Sequence, residues 1–125
     1  MATSPNYAAT PNTPAVTIST ANANRDGTGT IATVFTAGAS GSRIEDITLK
    51  AQGTTTAGMI RIFLHDGTTA RLWREIQVPA ITPSATAPSW ELRFPVYLFL
   101  QSGHSLRAST EKAESFTVVA NGGNC

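Results

Sequence analysis

Short runs of alternating or β-branched residues recur along this chain at regular intervals, and each is cut off by turn-forming residues. The runs fall at about residues 15–20, 29–36, 43–51, 58–65, 71–78, 89–94, 104–110 and 115–120. NANRDGTG, TAGASGS, AQGTTTAG, HDGTTA and PAITPSATAP separate them, rich in the Gly, Pro, Asn and Thr that set backbone angles for turns. No window of eleven or more residues keeps a helical period except, weakly, STEKAES at 109–115, which reads as a polar loop or a single turn. Eight short strands without a helix predict an all-β fold, an antiparallel two-sheet sandwich of jelly-roll type.

The stretch IRIFLHDGTTARLWREIQV, residues 60–78, shows how one hairpin of such a sandwich is built. Asp66-Gly67 followed by two threonines supplies the turn. On the first strand Ile60, Ile62 and Leu64 point one way, and Met59, Arg61, Phe63 and His65 the other. A loop of odd length pairs Leu64 with Leu72 and Ile60 with Ile76, and sets Phe63 beside Trp73 and Arg61 beside Glu75. Cross-strand aromatic and opposite-charge pairs are each worth about 0.2–1 kcal/mol, and a one-residue slip loses them all. The odd register is therefore expected, with Arg74 left on the apolar face beside Ile62. The outward face then carries aromatic rings framed by charge, where a wet sheet face normally shows only polar residues. Something is expected to cover it. Arg61, Phe63, Arg71, Trp73 and Glu75 form the candidate interface, with the composition of an interface core and rim.

At 125 residues the chain has the length of one domain, and such a domain buries about two-thirds of its unfolded surface. Residues 1–14, MATSPNYAATPNTP, hold three prolines and almost no large apolar side chains. They read either as a disordered tail or as an extended arm that orders against a neighbouring subunit, leaving 15–125 as the sandwich. Charged residues make up 14% and the net charge is +1, without the clustered Lys and Arg that binding to nucleic acid demands. No run reaches the length of a membrane span. The N-terminus has no basic start or apolar stretch, so no secretory signal is expected.

The groups that do chemistry are scattered. His65-Asp66 and His104 fall short of the three or four ligands of a zinc site, and Cys125 is the single cysteine. Glu45, Asp46, Glu75, Glu91, Glu111 and Glu114 show no paired pattern, and adjacent Glu45 and Asp46 should point to opposite faces of a strand. GASGS is not a nucleophile elbow, and the Gly-rich loops lack the lysine of a phosphate cradle. No enzyme activity, metal or cofactor is expected. Trp73, Trp90, Tyr97 and Phe63 could instead form a sugar-stacking platform, although Trp90, alternating with Leu92 and Phe94, reads as core. A protein interface is the preferred reading.

GTTTAGMIRIFLHDGTTARLWREI and SGHSLRASTEKAESFTVVANGG resemble small structural proteins of tailed bacteriophages, over about residues 27–123. The resemblance implies a virion component made in the host cytoplasm, with capsid decoration or cement as the leading role. It also implies a location on the capsid surface and two partners, the major capsid protein and copies of the chain itself as dimer or trimer. The alternative it leaves open is a receptor- or glycan-binding module of a tail or fibre. No functional residue carries over from the family.

Overall fold

A computed structural model describes residues 10–125. Their order is β1 (Thr10–Asn12), β2 (Ala15–Ile18), β3 (Ala32–Thr36), β4 (Ser42–Ala51), β5 (Gly58–His65), β6 (Ala70–Val78), β7 (Glu91–Leu100), β8 (Ser105–Thr110) and β9 (Phe116–Asn124). All pairings between strands are antiparallel, in two sheets. One runs β2-β9-β4-β7, with β1 following β2 along the same edge of β9, and the other runs β3-β8-β5-β6. The pairs are nested. β5–β6 is the innermost hairpin, β4–β7 encloses it, β3–β8 comes next and β2–β9 is outermost. A ribbon of nested antiparallel pairs rolled into two sheets is a jelly roll, so the fold expected from turn spacing is the one found. Glu111–Ser115 is a loop, and β7 runs on to Leu100.

The N-terminal segment needs dividing. Residues 1–9 lie outside the described residues, whereas Thr10–Asn12 pair with Gly122–Asn124 of the chain's own β9.

The core fills the space between the sheets, built from every second residue of facing strands. Ile44, Ile47 and Leu49 of β4, Val118 and Ala120 of β9, Ile60 and Ile62 of β5, and Leu106 and Ala108 of β8 are completely buried. Trp90 and Phe116 close one end, with their rings edge to face at 6.1 Å. Leu92, expected with them, is 37% exposed, because β7 is an edge strand and its rim stays wet.

Three residues depart from strict alternation, each at a β-bulge, and a fourth bulge, in β7, leaves the alternation intact. In β3 the register jumps from Thr33 to Phe35, so neighbouring Val34 and Phe35 are both buried. In β4 it jumps from Ile44 to Asp46, which lets Ile44 and Ile47, three apart, both face inward. The extra residue is Glu45, and both acids lie along one depression with Arg93 and Tyr97. The expectation of opposite faces for Glu45 and Asp46 is thus overturned. In β6 the extra residue is Trp73, and facing Glu45 the fourth bulge carries Tyr97 of β7 into a left-handed conformation, φ 45°.

The Trp73 bulge corrects the hairpin. Below it the odd register holds, with Ile60 opposite Ile76, Arg61 opposite Glu75 and Ile62 opposite Arg74. Above it the register is even, with Phe63 opposite Leu72 and Leu64 opposite Arg71. The expected Phe63–Trp73 and Leu64–Leu72 pairs do not form. The turn Asp66–Thr69 has four residues and demands the even register; the pairs lower down demand the odd one. One inserted residue reconciles the two.

Candidate interaction surface

The outward face of β3-β8-β5-β6 is covered by the chain itself. After β2 the backbone pairs with the end of β8, where Asn22 N–H donates to Thr110 O at 2.8 Å. It then reaches β6, where Arg25 Nε lies 2.7 Å from Glu75 Oε2, and Gly27 abuts the backbone of Ala70. It returns to pair Ala32 with Ala108 of β8. Because β5 lies between β8 and β6, the segment between β2 and β3 has to cross it. Phe63, completely buried yet outside the inter-sheet core, lies under that crossing. The segment is mostly polar, with Ile31 its one large apolar residue, and is held by polar groups. Asn22 Nδ2 donates to Thr28 O and Thr30 O at 3.0 and 2.9 Å.

Arg61 is 3% exposed on the same face. Its Nε is 3.0 Å from Glu75 Oε2, and its Nη2 is 3.7 Å from Glu111 Oε2. Hydrogen bonds from Arg25 and then Arg61 hold the Glu75 carboxyl below the usual carboxylate range. A buried guanidinium survives here because two carboxylates face it.

Of the five candidate interface residues, Arg61, Phe63 and Glu75 therefore come together, with Arg61 and Phe63 already buried within one chain. Trp73 packs against the core at the open side of the sandwich. There Arg74 lies 4.9 Å from its ring and 5.9 Å from that of Phe94 on β7. The arginine left over on the apolar face thus bridges the two edge strands. Arg71 is exposed at the start of β6, beside the hairpin turn, its Nη1 2.7 Å from Asp66 Oδ2.

His65 and Asp66 build that turn. His65 Nδ1 accepts the Gly67 N–H at 3.0 Å, and Asp66 Oδ1 accepts those of Thr68 and Thr69 at 3.0 and 2.8 Å. The hydrogen bond from Arg71, then those from Thr69 and Thr68, depress the Asp66 carboxyl far below its ordinary 3.8. A depressed folded value gives stability that is complete above the unfolded value and lost as pH falls through the folded one. Thermal melts of Asp66→Asn and the unaltered protein should therefore differ at neutral pH, and the difference should shrink steadily below pH 3.8. A constant difference across that range would remove Asp66 ionisation from the account. Among the described residues no three His, Cys, Asp or Glu side chains gather closely enough to hold a metal ion.

Among the described residues, the most exposed aromatic surface lies on the opposite side of the molecule. Tyr97 and Phe99 of β7 are 66% and 67% exposed on the outward face of β2-β9-β4-β7. Phe94, Val96 and Leu98 point to the core from the same strand. The Arg43 guanidinium sits 5.3 Å from the Phe99 ring, and Arg93 Nη2 is 2.6 Å from Asp46 Oδ2. Only Tyr97 was singled out from the sequence. In PVYLFL both alternation phases are apolar, so the run reads as buried and its outward half goes unnoticed. The left-handed Tyr97 costs about 1–2 kcal/mol relative to an ordinary strand conformation, and it holds a large ring out in water.

No protein-family model matches the chain, and no curated protein does. Solved structures do match. A crystal structure of a pentameric capsid protein isolated from metagenomic phage sequences is similar over 88% of this chain and 61% of that one, at 15% identity and a TM-score of 0.42. A second crystal structure of a pentameric capsid protein from metagenomic phage sequences is similar over 89% and 57%, at 16% identity and a TM-score of 0.39. The capsid asymmetric unit of cyanophage Pam1 is similar over 98% of this chain and 91% of that chain, at 16% identity and a TM-score of 0.46. The chain spans about three-fifths of the length of the two pentameric capsid proteins.

Proposed function

We propose that this chain is a structural subunit of a bacteriophage particle, a decoration or cement protein that binds the assembled head and stabilises it. The observation that carries the reading is the Tyr97–Phe99 pair, two large rings fixed in water on a rigid sheet face. Rings so placed suit permanent burial against another protein surface, since aromatic anchors beside arginine dominate interface energetics. The sequence resemblance to small structural phage proteins points the same way. The partners are the lattice of major capsid protein and further copies of the chain. The mechanism is linkage: a protein that binds the assembled shell and not its separated subunits shifts the equilibrium toward the shell. No catalytic step is assigned.

The sugar-platform alternative finds no support in the geometry. Of its four rings, Phe63 and Trp90 are buried and Trp73 packs on the core, so only Tyr97 is free to stack.

Particles assembled without this protein should release their genome at lower temperature than particles to which it is added back. Add-back of Tyr97→Ser/Phe99→Ser should fail to restore the difference. In intact particles the chain should stand in fixed proportion to the shell subunit by quantitative gel. A few copies per particle, or add-back that alters host attachment and leaves genome release unchanged, would assign the chain to a tail.

A further inference from the structure

We infer that the outward face of β2-β9-β4-β7 binds the same face of a second copy of this chain, across a two-fold axis near Tyr97 and Phe99. The inference rests on reading this face as an assembly surface, and it names the occupant.

Charge is the first argument. The cations of this face have carboxylates beside them in the same chain: Arg43 Nη2 is 3.4 Å from Glu45, Lys50 Nζ is 3.5 Å from Glu91, and Arg93 is 2.6 Å from Asp46. These pairs leave the face neutral, with both signs interspersed around two rings. A phosphate backbone or an anionic lipid surface calls for an excess of cations, and a basic partner for an excess of carboxylates. A surface carrying both signs in balance is complementary to a copy of itself turned by a half rotation, where each residue i meets j and j meets i.

Shape is the second argument. A two-fold contact needs a projection and a recess on the same patch. Here the rings stand between two open depressions of about 510 and 520 Å³. One is lined by Ser42, Phe99 and Ser102, the other by Asp46, Pro95 and Tyr97. The half rotation carries each ring toward the partner's depression.

Size and mode follow. β9, β4 and β7, of nine or ten residues, with the shorter β1 and β2 along the far edge of β9, lie about 4.8 Å apart and give a face of at most roughly 600 Å². That is below the roughly 800 Å² per partner of a standard interface but within the range of weaker ones. The contact is face to face. β7 is an edge strand, but Pro95 in its middle lacks an N–H for a ladder, so extension of the sheet into a neighbour is blocked.

The test uses the isolated full chain. Sedimentation equilibrium should show a monomer–dimer equilibrium that Tyr97→Ser/Phe99→Ser weakens by about 30-fold or more, with the melting temperature nearly unchanged at low protein concentration. In a Cys125→Ser background, Phe99→Cys should oxidise to a disulfide-linked dimer, because the inferred axis passes near this position and so brings its two copies together. Arg71→Cys, exposed on the other side, should not. A protein that stays monomeric up to about 1 mM, or a dimer that the double variant leaves intact, overturns the inference. The particle experiments above stand apart from this one, since a monomer can still cement a shell.

Discussion

Gly122→Ala should lower stability by about 3 kcal/mol or more, as overpacking against backbone exceeds the usual 1–3 kcal/mol for an added methyl group. For a domain of this size that is a fall of about 10 °C or more in Tm. Gly122 sits in β9 with β1 on one side and β4 on the other, opposite Asn12 and Ile44. A Cβ there would run into the carbonyl oxygen of Arg43, with Ile44 Cα 3.0 Å away. These are backbone atoms at the point where β4 bulges around Glu45, so no flexible side chain can yield. β9 cannot retreat, because β1 holds its far side. Gly53→Ala is the control. Nothing lies within 4 Å of its Cβ position, so it should be neutral or slightly stabilising, by about 0.4–1 kcal/mol, through the unfolded chain. Urea titration of both variants checks the pair. Equal stabilities would mean that β9 and β4 do not approach so closely in solution.

The same bulge shows where sequence reasoning runs out. Eight of the nine strands were legible because turn residues are local signals, and eight runs with their punctuation lead directly to a sandwich; β1 was not, because Thr10–Asn12 lies in a proline-rich stretch with no alternation of its own. Bulges have no such signature. Ile44 and Ile47 share a face only through Glu45, as Val34 and Phe35 are both buried only through a register jump. Around Trp73, opposing register demands at the two ends of one hairpin are both met, where alternation allows one. The candidate site failed to be read for a related reason. Alternation gathers Phe63, Arg61 and Glu75 on one face that calls for a cover, but NANRDGTG, whose one apolar residue is Ala23, has no large apolar side chain to announce itself as that cover. Conversely, Phe99 sits in a run so uniformly apolar that its outward direction emerges only from its pairing with Arg43.

Phe63→Ala should cost about 3–5 kcal/mol, the usual range for deleting a buried ring, and should leave self-association of the remaining folded protein unchanged. Phe63 is completely buried but outside the core cluster between the sheets, and the segment that runs from Asn22 toward Ala70 crosses its strand, so we assign its burial to that cover. The loss therefore depends on that cover staying in place. Asn22, 6% exposed, ties the segment together through Thr28 O and Thr30 O. Asn22→Ala leaves those carbonyls to find other donors, at about 1–3 kcal/mol if they stay buried. If the two residues act through one cover, the variants should be sub-additive by at least about 0.5 kcal/mol in a double-mutant cycle, since a loosened segment has less of Phe63 left to bury. Strict additivity would separate the ring from the segment. A Phe63→Ala protein of normal stability but weakened association would return the outward hairpin face to the interface and take away the case for Tyr97 and Phe99. Burial within one chain makes the opposite result the expected one: what is already covered contributes to folding, and only what is left in water remains to drive assembly.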